Sequence, residues 1–313
     1  MNNRIKIIIS VAVFISLSYL SLSLPFGCDS DILINLRIPK FLGIFISGFS
    51  LATAGMVLQL VTKNPLADPF VIGTSAGSML AIILLEILGI YSYGFVSFFF
   101  ITISALFFTY LAYRISRFSN SASINMLLSG VAVNSFVLSI IVLFVIFSKE
   151  QSLYFFHLSF GSFSYSNYTS IIYSFLTIIV SSVFLLIMMN RISILSFDEE
   201  KASTLGVNVE RIKFILFIIV SLLVSASVSL SGIIGFIGLM IPHITRYFFR
   251  GMSLKSLFLM NSVYGASFLL LADVISKKFF YPLEIPPGVI SSIFGAIFFI
   301  YLVMGSNGRK RTN

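Results

Sequence analysis

The sequence predicts an all-α, polytopic membrane protein of about ten transmembrane helices in two inverted five-helix halves, with both termini cytoplasmic. Three observations lead there. Of 313 residues, 58% are hydrophobic and 10% charged, and the mean hydropathy is +1.05, too little charged surface to coat a soluble globule of this size. Apolar runs of about 20 residues, the length that crosses a hydrocarbon core, recur along nearly the whole chain. Proline- and glycine-rich interruptions stand at corresponding places in the two halves, the mark of an inverted repeat.

Punctuation leaves candidate spans at roughly 5–24, 38–61, 70–90, 94–113, 124–147, 168–190, 213–231, 233–249, 256–275 and 287–305, forming one domain over 1–313 with halves at about 1–167 and 168–313. Arg4 and Lys6 before the first span and "LPFGC" after it imitate a cleaved signal. Pro25 and Phe26 stand where small cleavage-site residues belong, so a retained helix is expected. In the second span Gly48, Ala52, Gly55 and Gln59 share one helical face. Two readings fit them: close helix packing with an amide bonded across the contact, or the lining of a pathway.

"TKNPLADPFVIGTSAG" (62–77) follows. Pro65 and Pro69 lack an N–H and push the residues before them out of helix, so no regular rod continues through Leu66 and Ala67. Irregular backbone at membrane depth must be buried in protein or face water. Asn64 and Asp68 can bond the freed backbone, and Gly73 and Gly77 lead into the third span. The matching interruption is "SLSGIIGFIGLMIPHITR" (229–246), with Gly232, Gly235 and Gly238 at intervals of three and then Pro242. Such pairs point to a transporter with its pathway between two repeats.

Between the sixth and seventh spans lies the charged stretch "SILSFDEEKASTLGVNVERIK", in a loop at about 191–212. Ser196 and Glu199 have capping-box spacing, Gly206 is placed to end a short helix, and Asn208 can cap the next one. It reads either as a solvated connector or as a docking helix for a soluble partner. The positive-inside rule sets the orientation: a cytoplasmic N-terminus leaves only Arg37, Lys40, Lys149, Lys277 and Lys278 of the 20 Lys and Arg residues outside. The net charge of +9 then reflects topology and contact with membrane lipid, and no nucleic acid is expected. Cys28 is the single cysteine, and His157 and His243 lie far apart, so no His/Cys metal site is expected. No phosphate-binding glycine loop or catalytic triad spacing is visible.

"RIPKFLGIFISGFSLATAGMVLQLVTKNPLADPFVIGTSAG", "LLSGVAVNS", "EEKASTLGVNVERIK", "SGIIGFIGLMIPHITR" and "ADVISKKFFYPLEIPPGVISSIFGAIFF", in this order, resemble the FecCD-type permeases of binding-protein-dependent ABC importers for iron–siderophore complexes, haem and cobalamin. The resemblance covers about 35–305. It implies a homodimer with a path at its two-fold axis, two ABC ATPase subunits beneath, and an extracytoplasmic substrate-binding protein above. Catalysis and cofactors would be absent from this chain, with ATP and Mg on the partner ATPase, and the site would be the cell membrane. Carried over by motif, Ser196, Asp198, Glu199, Glu200, Leu205, Gly206, Val207, Asn208 and Arg211 would couple to the ATPase. Arg37, Lys40 and Lys277 would receive acidic residues of the binding protein, and opposite charge would speed that docking. Glu284, Pro286 and Gly288 match the turn before the last helix. Asn134, Ser135 and Ser139 are the expected pathway wall.

The sequence departs from the pattern with lysine for arginine at 40 and 277, which exchanges a bidentate fork for a point charge. Asp198 replaces a usual glycine, His157 stands near a usual tryptophan, and Pro287 and Ile297 are atypical. The alternative reading is an ion-gradient-driven secondary transporter, which would want an intramembrane ionisable residue; Glu86 and Asp273 both map near outer helix ends.

Overall fold

The structure is a computed structural model that describes residues 3–24, 30–90, 94–118, 122–147, 152–164, 166–197, 208–280 and 285–309. Among these residues the chain is helical throughout: α1 Asn3–Ser23, α2 Ile38–Thr62, α3 Thr74–Ile87, α4 Phe95–Ser116, α5 Ala122–Phe147, α6 Ser152–Ser159, α7 Tyr168–Phe197, α8 Val209–Ser231, α9 Ile237–Phe248, α10 Leu254–Phe279 and α11 Pro287–Arg309.

Among the described residues seven helices are long and apolar enough to cross a membrane: α1, Ser30–Thr62 (α2 with its lead-in), α4, α5, the Tyr168–Leu195 part of α7, α8 and α10. Two of the ten spans expected from sequence differ in length. The third place holds a shorter apolar helix, Thr74–Ile87, and the eighth the 12-residue α9, whereas the tenth is filled by the 23-residue α11. For the third and eighth the reason is local: irregular backbone around Pro69 and from Gly232 to Phe236 occupies residues that a full span would need. Other boundaries differ too. A π-helical turn, Leu33–Arg37, precedes α2, and α7 runs on through Ser196 to Phe197. The short helix α6 was not expected at all.

The centre of the bundle is α2, with 78% of its most apolar window buried, followed by α8 at 72%; α1, at 17%, and α5, at 22%, lie on the periphery. Around α2 stand α10, α8, α9 and α7. What permits this crowding is the face predicted from its small residues. A Cβ added to Gly48 would lie 2.5 Å from the carbonyl oxygen of Gly265 in α10. Nearby, the Thr53 and Ser262 hydroxyls are 2.8 Å apart, and Asn261 Nδ2 donates to the Ala52 carbonyl at 2.6 Å. Further along, Gly55 meets the backbone of Gly238 at the head of α9. Gly48, Ala52, Gly55 and Gln59 are all buried, which settles their face as packing and not pathway.

With little hydrophobic drive between helices in lipid, close backbone approach is the main source of contact energy. Valine at Gly55 would drive its side chain into backbone that cannot rotate away. Gly55→Val should therefore lower stability by about 3 kcal/mol, the upper end of overpacking costs. An unshifted unfolding midpoint in detergent would contradict the packing.

Candidate functional site

The two interruptions meet. The first begins where Lys63 turns left-handed, at φ 51°, and stops α2. Asn64 Oδ1 then accepts from the Leu66 amide at 2.9 Å, and the Ala67 amide donates to the Asn64 carbonyl at 3.1 Å. Asp68 Oδ1 accepts from the Phe70 amide at 2.9 Å, opening a 3-10 turn over Pro69–Ile72. The Phe70 carbonyl takes Ser75 Oγ at 3.1 Å and also Asn134 Nδ2 from α5. These bonds satisfy backbone groups that the break in the helix leaves without intrahelical partners.

The second interruption starts at Gly232, with φ 78°, where α8 ends. Its Ile233 amide donates to the Leu158 carbonyl of α6 at 2.8 Å, and Ser291 Oγ donates to the Gly235 carbonyl at 3.4 Å. Phe236 then takes a left-handed conformation and α9 begins. Inside α9, Pro242 has no N–H for the carbonyl of Gly238, four residues back. Gln59 of α2 provides the missing donor: its Nε2 lies 3.3 Å from the Gly238 oxygen and 3.1 Å from that of Leu239. The same nitrogen is 3.4 Å from the Ala67 oxygen in the first interruption, and Oε1 accepts from Arg246. The Pro69 ring packs on Gly238.

Asp68 belongs to this joint. Burial pushes its carboxyl up to about 6, and hydrogen bonds from the Phe70 and Phe236 amides pull weakly the other way. The arrangement can hinge or lock, but it has no nucleophile–base pair. Among the described residues no three His, Cys, Asp or Glu side chains gather as they would around a metal.

On the other predicted face, the structure turns the three basic residues toward the protein. The buried carboxylate of Asp273 sits 2.8 Å from Lys277 Nζ and 3.7 Å from Lys40 Nζ, with side-chain exposures of 0%, 6% and 14% respectively. Ser21 Oγ donates to Asp273 Oδ2 at 2.7 Å, and Lys277 Nζ donates to the Ser21 carbonyl at 2.9 Å. Arg37 donates to the carbonyls of Leu22 and Ser23 at 3.1 and 3.3 Å. Carbonyls at a helix C-terminus lack intrahelical donors and carry partial negative charge, so cations settle there. The end of α1 is thereby clamped onto α2 and α10. A cavity of about 350 Å³ opens beside Arg37, Lys40 and Lys277.

Asn208 caps α8, its side chain accepting from the Arg211 amide at 3.0 Å, and Arg211 is exposed. Ser196 lies in the last turn of α7 instead of opening a helix of its own. Asp198, Glu199, Glu200, Leu205, Gly206 and Val207 lie outside the described residues, as does Glu284. The Pro286 carbonyl accepts from the Val289 amide at 3.0 Å, and Gly288 packs against the backbone of Phe160 beyond α6. Ser135 and Ser139 are exposed on α5, whereas Asn134 is half-buried and bonded to the first interruption.

Sequence reasoning missed Asp273, Ser21 and Arg246 as members of these clusters. Asp273 carried a readable signal, its spacing of four from Lys277; Ser21 and Arg246 reach their partners only through tertiary contact.

The Asp68 carboxyl holds its proton up to about pH 6 when folded, against 3.8 otherwise. Its protonation thus favours the folded state fully below about pH 4, and that contribution is lost as pH rises through 6. Asp68→Asn keeps the acceptor for Phe70 and should flatten the change in unfolding midpoint between about pH 4 and 6.5; an unaltered profile would contradict the placement of Asp68.

The profile of the FecCD transport family matches residues 7–305. The probable iron chelatin transport system permease protein of Helicobacter pylori (strain ATCC 700392 / 26695) is 33% identical over 282 residues, covering 89% of this chain and 84% of that one. The hemin transport system permease protein HmuU of Yersinia pestis is 30% identical over 280 residues, covering 87% and 82%. A solved structure described as an inward-facing conformation of a putative metal-chelate type ABC transporter superposes with a TM-score of 0.81 at 25% identity, covering 94% of this chain and 97% of that one. With a bundle of membrane-crossing helices and a likeness that spans nearly the whole chain, this multi-pass membrane protein is a member of the FecCD transport family.

Proposed function

We propose that the chain is the transmembrane permease subunit of a binding-protein-dependent ABC importer that carries an iron(III)–siderophore or related chelate, such as haem or cobalamin. The observation that carries this reading is the joint at Gln59, where two interrupted segments from the two halves meet inside a bundle similar over 94% of its length to a putative metal-chelate type ABC transporter. Relatives named for iron chelatin and hemin transport support the substrate class.

In this reading ten helical segments cross or re-enter the membrane with both termini cytoplasmic. Two copies associate so that Ser135 and Ser139, on the exposed face of peripheral α5, look toward a shared path. Two ABC ATPase subunits bind the segment from Ser196 to Arg211, including Asp198, Glu199, Glu200, Leu205, Gly206, Val207 and Asn208. Closure of the ATPases on ATP moves that segment, and the helices exchange outward and inward openings. ATP and Mg stay on the partner, so this chain supplies no catalytic group. A substrate-binding protein docks outside, near Arg37 and Lys40. Lys277 acts there indirectly, since its ammonium holds Asp273 and the end of α1.

The secondary-transporter alternative would use Asp273 as its coupling carboxylate. That carboxylate is already paired with Lys277 and Lys40 and takes a hydrogen bond from Ser21, so a coupling cation would have to displace them. Proteoliposomes decide between the two. With the cognate ATPase and binding protein present, uptake of an iron(III) chelate should fall to background without ATP and should persist when a protonophore collapses the proton gradient. Uptake by this chain alone, driven by a pH gradient, would contradict the proposal.

A further inference from the structure

The end of α4 and the start of α8 enclose a two-part hollow outside the joint and the clusters described above. Its mouth, about 340 Å³, is bordered by Arg114, Arg117 and Arg211, with Glu210 the one carboxylate among the described residues that line it. Arg117 donates to Glu210 at 3.0 Å, which leaves the charges of Arg114 and Arg211, both exposed, without a carboxylate among those residues. The floor is aromatic. Tyr113 packs on Phe214 at a centroid distance of 4.9 Å and on Phe217 at 6.1 Å. Tyr110, Tyr113 and Phe214 also line a second cavity of about 190 Å³, continued between α4 and α8 by Leu106, Phe217 and Ile218.

A basic mouth joined to an apolar slot between two membrane-crossing helices has the two-part chemistry of a phospholipid, with an anionic head at the interface and a hydrocarbon tail at depth. We propose that this hollow binds one anionic phospholipid of the adjoining leaflet, its phosphate between Arg114 and Arg211 and one acyl chain along the α4/α8 slot. A soluble phosphate would use only the mouth, and an acidic peptide would leave the apolar slot empty. The proposal requires membrane embedding alone; Arg211 also ends the segment proposed above to meet the ATPase, so the test uses the chain without that partner.

The test is native mass spectrometry of the full-length chain titrated with phosphatidylglycerol, phosphatidylcholine of the same acyl composition, or glycerol 3-phosphate. Phosphatidylglycerol should be retained at least about tenfold better than either of the others. The double variant Arg114→Gln/Arg211→Gln and, separately, Leu106→Trp should each remove that preference while keeping the wild-type elution profile. On the unaltered chain, a photoreactive phosphatidylglycerol should attach within residues 106–117 or 208–218. Equal retention of phosphatidylcholine, equal binding of glycerol 3-phosphate, a preference that survives the arginine changes, or attachment elsewhere would each overturn the proposal.

Discussion

One buried amide, that of Gln59, bonds to both irregular segments of the bundle at once, and the rest of the architecture is arranged so that it can. Its nitrogen serves carbonyls of Ala67, Gly238 and Leu239, and its oxygen accepts from Arg246. Pro242 makes this necessary, because a proline inside a helix strips the Gly238 carbonyl of its ordinary donor. In water a solvent molecule could replace it. In the interior of a membrane protein the donor must come from another part of the chain. Gln59 can reach because Gly55, one turn earlier, lets α2 come into backbone contact with the head of α9.

The same logic extends through the core. Buried hydroxyls bond across helices where backbones come close: Ser50 donates to the Leu223 carbonyl at 2.6 Å, and Ser174 to that of Ala226 at 3.0 Å. The buried Asp273 is paired with Lys277 and Lys40 and takes a hydrogen bond from Ser21. Burying such ions is costly, and removing one partner leaves the others uncompensated. The Asp273 cluster therefore fixes the end of α1, while the joint at Gln59 leaves two non-helical segments whose mutual contact rests on a few hydrogen bonds. A permease that alternates between two openings needs both kinds of part: walls that stay fixed and segments that can rearrange.

Much of this was legible in the sequence because membrane burial writes itself in long apolar runs, and because proline and glycine interrupt helices for reasons local to the backbone. Gly48, Ala52, Gly55 and Gln59 fell on one helical face by spacing alone, though spacing could not tell packing from pathway. Asn64 and Asp68 were readable as caps, since short polar side chains beside prolines bond their own backbone. The meeting of the two interruptions was not readable, because it depends on helix crossing. The direction of Arg37, Lys40 and Lys277 was hidden for a related reason: a cation near a helix end is drawn either to a partner outside or to the carbonyls of a neighbouring helix, and only the position of α1 decides. The short α6 escaped because eight residues cannot span a bilayer and its support comes from Gly232 and Gly288.

The most direct measurement is hydrogen–deuterium exchange on Gln59→Leu, which keeps most of the side-chain volume and removes every hydrogen bond of the amide. If that amide ties the two segments together, backbone amides in 64–72 and in 236–240 exchange faster in concert, and the unfolding free energy falls by about 2–3 kcal/mol for the carbonyls left without donors. Unchanged exchange in both segments, or acceleration in one with the other untouched, would contradict it.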